Sequence, residues 1–440
     1  MLKNIGSFYR TIKIANELSR LTKYYDRLFQ VAPLEHDDQK MLEATEAPQK
    51  SILLSIESLP FLLNENERVA LLFNGNFNHG IDIQNVFKEI MPKISAETKI
   101  LALLYNPYLK FLYQFLKWCR LRKGKIPNTF LTEAELKNIC TLSNFELVKL
   151  RPCLYFPFYI PFFSNFINSV FPLLPFFNRF SLVSLAIIRP LMKRKNLPSL
   201  SIVIPARNEE GNIEAAIERL PSFKGAAREI IFVEGHSTDN TWSEVLRVQK
   251  KYLNMIPIQA YQQKGKGKSD AVRLGFSHAR HDLLFILDAD LTVAPENLEL
   301  FYDAYLDGHG EFINGTRLIY PMESKAMRPL NLLGNKFFAK ILSYILDDYI
   351  SDSLCGTKVV SKRDYERMIN WRTDFGDFDP FGDFELLFPA AQMGIKIMNV
   401  PIHYKDRTYG STQIHRIRHG LMLFKMTIVG LFKIKAGKFV

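Results

Sequence analysis

Three short apolar runs in the second half of the chain, "SLSIVIPA", "EIIFVEG" and "LLFILDA", are each followed by a segment with apolar residues at helical spacing. These are "EGNIEAAIERL", "DNTWSEVLRVQKKY" and "PENLELFYDAYLDG". Runs of that length read as strands, and their alternation with helices predicts βαβ units, a mostly parallel sheet and helices on both faces. In such α/β sheets ligands collect beyond the carboxyl ends of the strands. There the first run meets "PARNEE", the second "EGHSTDNT" and the third "DADLT". The third poses an electrostatic question, because Asp288 and Asp290 stand one residue apart where a buried strand ends.

The first half is patterned differently. The opening "MLKNIGSFYRTIKIANELSR" reads as an amphipathic helix and lacks the apolar core of a signal peptide. Residues 154–188 contain no acidic residue, but prolines at 157, 161, 172 and 175 interrupt any helix of the roughly 20 residues a bilayer requires. That stretch therefore reads as a buried or interfacial segment. "RPLMKRKNLPSL", with four basic residues and two prolines, marks a boundary. The expected domains are 1–195, 196–415 and 416–440. In the last, Ile417, Leu421, Phe424, Ile428 and Leu431 share one helical face, and eight basic residues stand against one acid between 405 and 438. Such a helix suits an anionic membrane surface, with packing on its own domain as the alternative.

Composition narrows the classes. A chain of 440 residues with 47% hydrophobic and 23% charged residues is globular and has room for about two or three domains. Lys and Arg exceed Asp and Glu by 12, which favours a polyanionic partner: nucleic acid, a phosphorylated small molecule or an anionic membrane. Cysteines 119, 140, 153 and 355 show no CxxC spacing, so neither a disulfide framework nor a zinc site is expected, in keeping with a cytoplasmic protein.

Between the second and third strands lies "QQKGKGKSDAVRLG". Its glycines at 265 and 267 permit close backbone approach, while Lys264, Lys266 and Lys268 offer charge to an anion. Acidic side chains and a cationic loop at one sheet edge are what a metal-bridged diphosphate needs: carboxylates hold the cation, which neutralises phosphate oxygens.

These residues carry a resemblance. From about 198 to 420 the chain is similar to family-2 glycosyltransferases of the GT-A fold, and most similar among them to polyprenyl-phosphate (dolichyl-phosphate type) sugar transferases. The matching pieces are "SIVIPARNEEGNI", "EIIFVEGHSTDNT", "KGKGKSDAVRLGF", "LDADLT", "GTR", "DSLCGTKVVSKRDYERM", "GDFELLFPAAQMGIKI" and "VPIHYKDRTYGST". The resemblance implies that Pro205, Arg207, Glu209 and Glu234 contact the nucleoside, although the family usually has two aspartates where Glu234 and Gly235 stand. It implies that Lys264 and Lys266 help hold the nucleotide sugar. Asp288 and Asp290 match the DxD pair, with Asp290 as the direct ligand of Mg2+ or Mn2+ and Asp288 facing the nucleotide or supporting the metal. Arg317, Arg328 and Arg407 match positions facing an acceptor phosphate, with Asn331 and Asn335 near Arg328. Asp383, with Glu385, matches an acidic motif that would serve as base for a hydroxyl acceptor or else order the metal or a cationic residue. For each of these residues helix capping or a solvated strand end is the alternative, as with Asn208, which could cap a helix beginning near Gly211.

The activity so implied is metal-dependent inverting transfer from a nucleotide-diphosphate sugar to a polyprenyl phosphate. Transfer to a saccharide hydroxyl in cell-envelope glycan synthesis and a non-catalytic scaffold are the alternatives. The implied partners are the donor, a membrane-associated acceptor and the anionic inner face of a membrane, with no nucleic acid. Residues 1–195 resemble the second half of a class I methyltransferase in "RVALLFNGNFNHGIDIQNVFKEIMPKISAETKILALLYNPYLKFLYQFLKWC" and "TFLTEAELKNICTLSNFELVKLRPCLYFPFYIP". No glycine-rich turn precedes residue 75, and Glu57 after "ILLSI" is the one candidate acid for the second strand. The expectation is thus a partial, degenerate Rossmann-like domain that does not bind S-adenosylmethionine, with a bifunctional enzyme as the alternative.

Overall fold

The computed structural model describes residues 2–34, 37–64, 66–119, 127–322, 329–369, 381–407, 409 and 416–436. The chain divides into two compact units, one of Met1–Met192 with Gln392–Gly394 and Leu431–Val440, the other of Lys193–Ala391 with Ile395–Gly430. Both are α/β.

The first unit opens on the helix Leu2–Thr22. Its strands are β1 (Arg27–Val31), β2 (Gln49–Leu53), β3 (Val69–Asn74), β4 (Lys99–Tyr105), β5 (Phe145–Leu154) and β6 (Val183–Pro190), in the spatial order β2-β1-β3-β4-β6-β5. The first four are parallel, and β6 runs antiparallel to both its neighbours. Successive residues of β3 face opposite cores: Leu71 and Phe73 join Phe77, Phe87 and Phe145, while Ala70 and Leu72 join Leu18, Tyr25 and Leu185. A sheet covered on both faces needs continuous apolar runs, which is why "VALLF" and "ILALL" do not alternate. The apolar stretch 154–188 is of two kinds. Its end enters the buried strand β6, while its start forms the helix Phe163–Val170 and 3-10 turns at Phe171–Leu173 and Pro175–Phe180. Pro172 and Pro175 stop the helix from continuing. Among the described residues no helix is long and apolar enough to cross a membrane.

The second unit is built on β7 (Leu200–Ala206), β8 (Arg228–Glu234), β9 (Ile258–Gln262), β10 (Leu283–Ile286), β11 (Phe312–Thr316), β12 (Lys358–Ser361) and β13 (Ile397–Pro401). Their order is β13-β11-β12-β10-β7-β8-β9. Strands β7 to β10 are parallel as read from the sequence, whereas β12 lies antiparallel between β10 and β11. The mostly parallel α/β class holds, with one antiparallel strand beside the strand that carries the aspartates. The helices Ile213–Glu218, Thr241–Lys251 and Leu298–Leu306 fall in the three segments of helical spacing. The helix Lys268–His278 lies close to β7, and a Cβ at Gly275 would overlap the Val203 side chain. That close approach brings the start of the lysine-bearing helix up to the strand ends.

Candidate functional site

The loops after β7 and β8 are tied together by polar side chains. Asn208, at a φ of 55°, accepts a hydrogen bond from the Thr238 amide at 2.8 Å and donates its own amide to the Ser237 hydroxyl at 3.0 Å. Its side chain therefore caps no helix, so the capping alternative does not hold at this position; a 3-10 turn, Glu210–Asn212, precedes the helix Ile213–Glu218. Glu234, buried at the end of β8, accepts from the Ser237 amide at 2.5 Å and the Gln262 side chain at 3.1 Å, so one oxygen braces the loop after β8 and the other the end of β9. Pro205 is half-buried within β7, and Arg207 beyond it is exposed.

β10 ends at Ile286, so Asp288 and Asp290 stand in the turn beyond it. Each carboxylate has its own cation. The Lys268 ammonium pairs with Asp288. Arg407 reaches Asp290 Oδ2 from Nη2 at 2.5 Å and Glu209 Oε1 from Nη1 at 3.3 Å. The other oxygen of Asp290 accepts from the Thr292 amide at 3.1 Å and hydroxyl at 2.7 Å. Burial pushes the Asp288 carboxyl up, but Lys268, with Lys358 and Arg317 nearby, brings it below the ordinary carboxylate value. Burial drives the Glu209 carboxyl up to about 7, against the pull of Asn212 and Arg407. Above Asp288 and Lys268 lies Gly356, where a Cβ would overlap the Asp288 Oδ2 and Lys268 Nζ atoms. Of the three lysines in the glycine-bearing loop, Lys268 joins this cluster, while Lys264 and Lys266 are exposed. Lys264 lines a groove of roughly 610 Å³ with Tyr261, Asp270 and Arg273, along the edge strand β9 and away from the aspartates.

Arg317 is legible in the sequence, but its partner is not. Arg317 Nε and Nη2 donate to the two oxygens of buried Asp352 at 2.7 and 2.9 Å. Asn335 Nδ2 donates to the same carboxylate at 2.7 Å. Burial raises Asp352, but Arg317 outweighs it and holds the carboxyl at about 2. The guanidinium also lies 5.0 Å from the centre of the Tyr404 ring. Asp383, at the start of the helix Asp383–Gln392, pairs with the buried Lys358 ammonium at 2.6 Å. Of the roles the resemblance offered, this contact is compatible with the ordering of a cationic residue. Glu385 pairs with Arg273 at 3.3 Å. Arg328 lies outside the described residues. Lys358 and Asp352 both fall within a motif quoted from the sequence, but nothing in their local spacing announced a buried ion pair.

Among the described residues no three His, Cys, Asp or Glu side chains gather as a metal-holding group. A pair of carboxylates still fits a hard cation that takes its remaining ligands from substrate phosphates and water. Here Lys268 and Arg407 supply the positive charge that both carboxylates require.

Residues 201–368 match the family model of glycosyl transferase family 2. The matched segment takes in Lys268, Asp288, Asp290, Arg317, Asp352 and Lys358, and ends before Asp383 and Arg407. Dolichol-phosphate mannosyltransferase of Pyrococcus furiosus is 33% identical over 111 residues, which are 25% of this chain and 30% of that protein. Dolichyl-phosphate hexose transferase of Haloferax volcanii is 24% identical over 237 residues, 54% of this chain and 96% of that protein. Among solved structures, glucosyl-3-phosphoglycerate synthase from Mycobacterium tuberculosis is similar at a TM-score of 0.40 and 16% identity, over 53% of this chain and 78% of that one. The chain spans less than a third of the length of the Pyrococcus protein.

Proposed function

We propose that the second unit transfers a sugar from a nucleotide-diphosphate donor to a polyprenyl phosphate, with inversion at the anomeric carbon. The observation that carries this reading is the Lys268–Asp288 and Arg407–Asp290 cluster beyond β10, inside or beside the matched segment. Asp288 and Asp290 would hold Mg2+ or Mn2+, which supplies neutralising charge to the diphosphate. Lys268 and Arg407 release their carboxylates and turn to the donor phosphates, stabilising the charge that develops on the leaving group. Arg317, pre-oriented by Asp352, faces the acceptor phosphate with a fixed guanidinium plane. A hydroxyl acceptor would call for a free base, and Asp383 is committed to Lys358. A phosphate oxygen is already ionised at neutral pH and calls for none, which favours the lipid phosphate over a saccharide.

A lipid acceptor also suits the outer surface of this unit. The helix Arg416–Gly430 buries Leu423 and Met426 but exposes Leu421, Phe424 and Ile428, and it packs beside Pro329–Leu346, which exposes Leu333 and Phe337. Neither helix carries an acidic residue. Apolar faces flanked by Lys336, Lys340 and Lys425 suit peripheral binding to an anionic membrane.

For the first unit we infer a degenerate methyltransferase-like scaffold. The antiparallel β6 between β4 and β5 supports the likeness. The turn after β1 reads Ala32-Pro33-Leu34, with no glycine to admit a cofactor backbone to backbone. The test is incubation of the purified chain with a panel of nucleotide sugars, Mn2+ or Mg2+ and polyprenyl phosphate, read by mass spectrometry for a lipid-linked sugar. Absence of product with every donor sinks the transferase reading, and calorimetric binding of S-adenosylmethionine sinks the scaffold.

A further inference from the structure

The first unit exposes more aromatic surface than a solvated domain tolerates. Phe162 is 92% exposed, Phe176 72% and Phe166 60%, on the short elements between β5 and β6. Contiguous exposed apolar surface of this kind marks an interaction site. We propose that this aromatic ridge inserts into the interfacial region of an anionic lipid bilayer, so that the first unit is itself a membrane-docking module. The surface is distinct from the helices of the second unit, and the proposal stands whether or not that unit transfers sugar.

Two observations bear on the occupant: the first shows a surface equipped to leave water, and the second, its charge, favours an anionic lipid over a protein partner. The first is how the irregular backbone of the ridge is satisfied. Asn168 Oδ1 accepts from the Tyr155 and Phe156 amides at 2.8 and 3.1 Å, and its Nδ2 donates to the Phe156 and Ser164 carbonyls at 2.9 and 3.0 Å. The Ser164 hydroxyl accepts from the Ile160 amide at 2.7 Å and donates to the Phe158 carbonyl at 2.7 Å. A loop bathed in water has no need of this, because water satisfies its backbone. A loop entering an apolar phase must meet the demand internally, since an unpaired peptide group there costs several kcal/mol; Asn168 and Ser164 do so from beneath the exposed rings.

The second observation is charge. Residues 147–192 of this unit contain no acidic residue, and residues 98–132 contain none either; Lys110, Lys117 and Arg179 among them are exposed. The latter segment holds the helix Lys110–Trp118, which exposes Phe111, Phe115 and Trp118. It is tied to the ridge by Asn106, whose Nδ2 donates to the Arg179 and Ser181 carbonyls at 2.8 and 2.7 Å. Aromatic rings at the polar–apolar boundary with cations behind them match an interface rich in anionic headgroups. The four prolines keep the ridge too short and broken to span, so it lies in the surface rather than crossing it.

The test uses the full chain with vesicles of phosphatidylcholine, with and without phosphatidylglycerol, and reads the sedimented fraction. Wild type is expected to bind the phosphatidylglycerol vesicles, and the Phe162→Asp/Phe166→Asp double variant to lose about tenfold or more of its partition coefficient. Both positions are on the surface, so its circular dichroism melt should match wild type. A second double variant, Leu421→Asp/Phe424→Asp, separates the surfaces: it should retain the part of binding that the phenylalanine pair removes. Wild type failing to bind, or the phenylalanine pair binding as wild type does, overturns the proposal. So does a dimer in light scattering that the phenylalanine pair dissociates, which would make a second copy the occupant. No donor is present in these measurements, so failed sugar transfer leaves the result untouched.

Discussion

Arg317 and Asp352 meet as two parallel hydrogen bonds, Nε to Oδ2 at 2.7 Å and Nη2 to Oδ1 at 2.9 Å, with the carboxylate fully buried. Removing one member of such a pair leaves an uncompensated buried charge, at a cost of about 3–5 kcal/mol. Asp352→Asn is therefore expected to lower unfolding stability by that amount in urea titration. If the Asp352→Asn variant unfolds like wild type, the pair contributes nothing to the fold.

The same carboxyl sets an acid limit. Its value falls from 3.8 in the ordinary range to about 2 in the folded chain, because Arg317 outweighs burial. A depressed carboxyl stabilises the folded form above its unfolded value and loses that contribution as pH falls through the folded one. About 2 kcal/mol should disappear between pH 4 and 2 and be absent from the Asp352→Asn variant. Unfolding midpoints measured across that window check it.

Gly356→Ala would push a methyl group into the Lys268–Asp288 pair. Donor nucleotide should then bind about tenfold more weakly, a change of about 1.4 kcal/mol, with little change in melting temperature. Isothermal titration of nucleotide diphosphate reads the affinity. Unaltered affinity would remove Asp288 and Lys268 from the donor site.

Asp290→Ala and Arg407→Ala should act in opposite directions on metal. The first removes the proposed metal ligand and is expected to cut transfer by roughly 10²–10³-fold, in line with the loss of a group that organises transition-state charge. The second frees Asp290 from its guanidinium, so Mn2+ should bind the nucleotide-free Arg407→Ala protein more tightly than wild type. Equal Mn2+ affinity in the two proteins would show that Arg407 does not compete for the carboxylate.

Lys358→Met leaves buried Asp383 without its cation and should cost about 3–5 kcal/mol, whereas Lys358→Met/Asp383→Leu should recover most of that. A double-mutant cycle in denaturant measures the coupling. Additive losses would mean the two side chains do not depend on one another.

What could be read from the sequence was what lies close along the chain. Strands β7, β8 and β10 announce themselves by runs of apolar residues, and the aspartates follow β10 within four residues. The partners that neutralise them come from elsewhere: Lys268 lies 20 residues before Asp288, and Arg407 lies 117 residues after Asp290. Asp352 stands 35 residues from Arg317 in a stretch, "ISDSLCG", with no periodic signal, and Lys358 sits in a strand where a lysine would ordinarily point to solvent. Its burial becomes intelligible once β12 is seen inserted antiparallel beside β10, which turns that side chain toward Asp383. The capping alternative at Asn208 fails for a related reason: the Thr238 amide from which its side chain accepts a hydrogen bond belongs to a loop 30 residues away.

Asn335 sits on the inner side of the helix whose outer side shows Leu333 and Phe337. A helix is about 10 Å thick. With its outer side resting on a bilayer, the distance from the lipid headgroups to the arginine would be a single helix diameter. A lipid phosphate could then reach Arg317 while its hydrocarbon tail stays in the membrane, and substrates differing only in the far end of that tail should be used equally well.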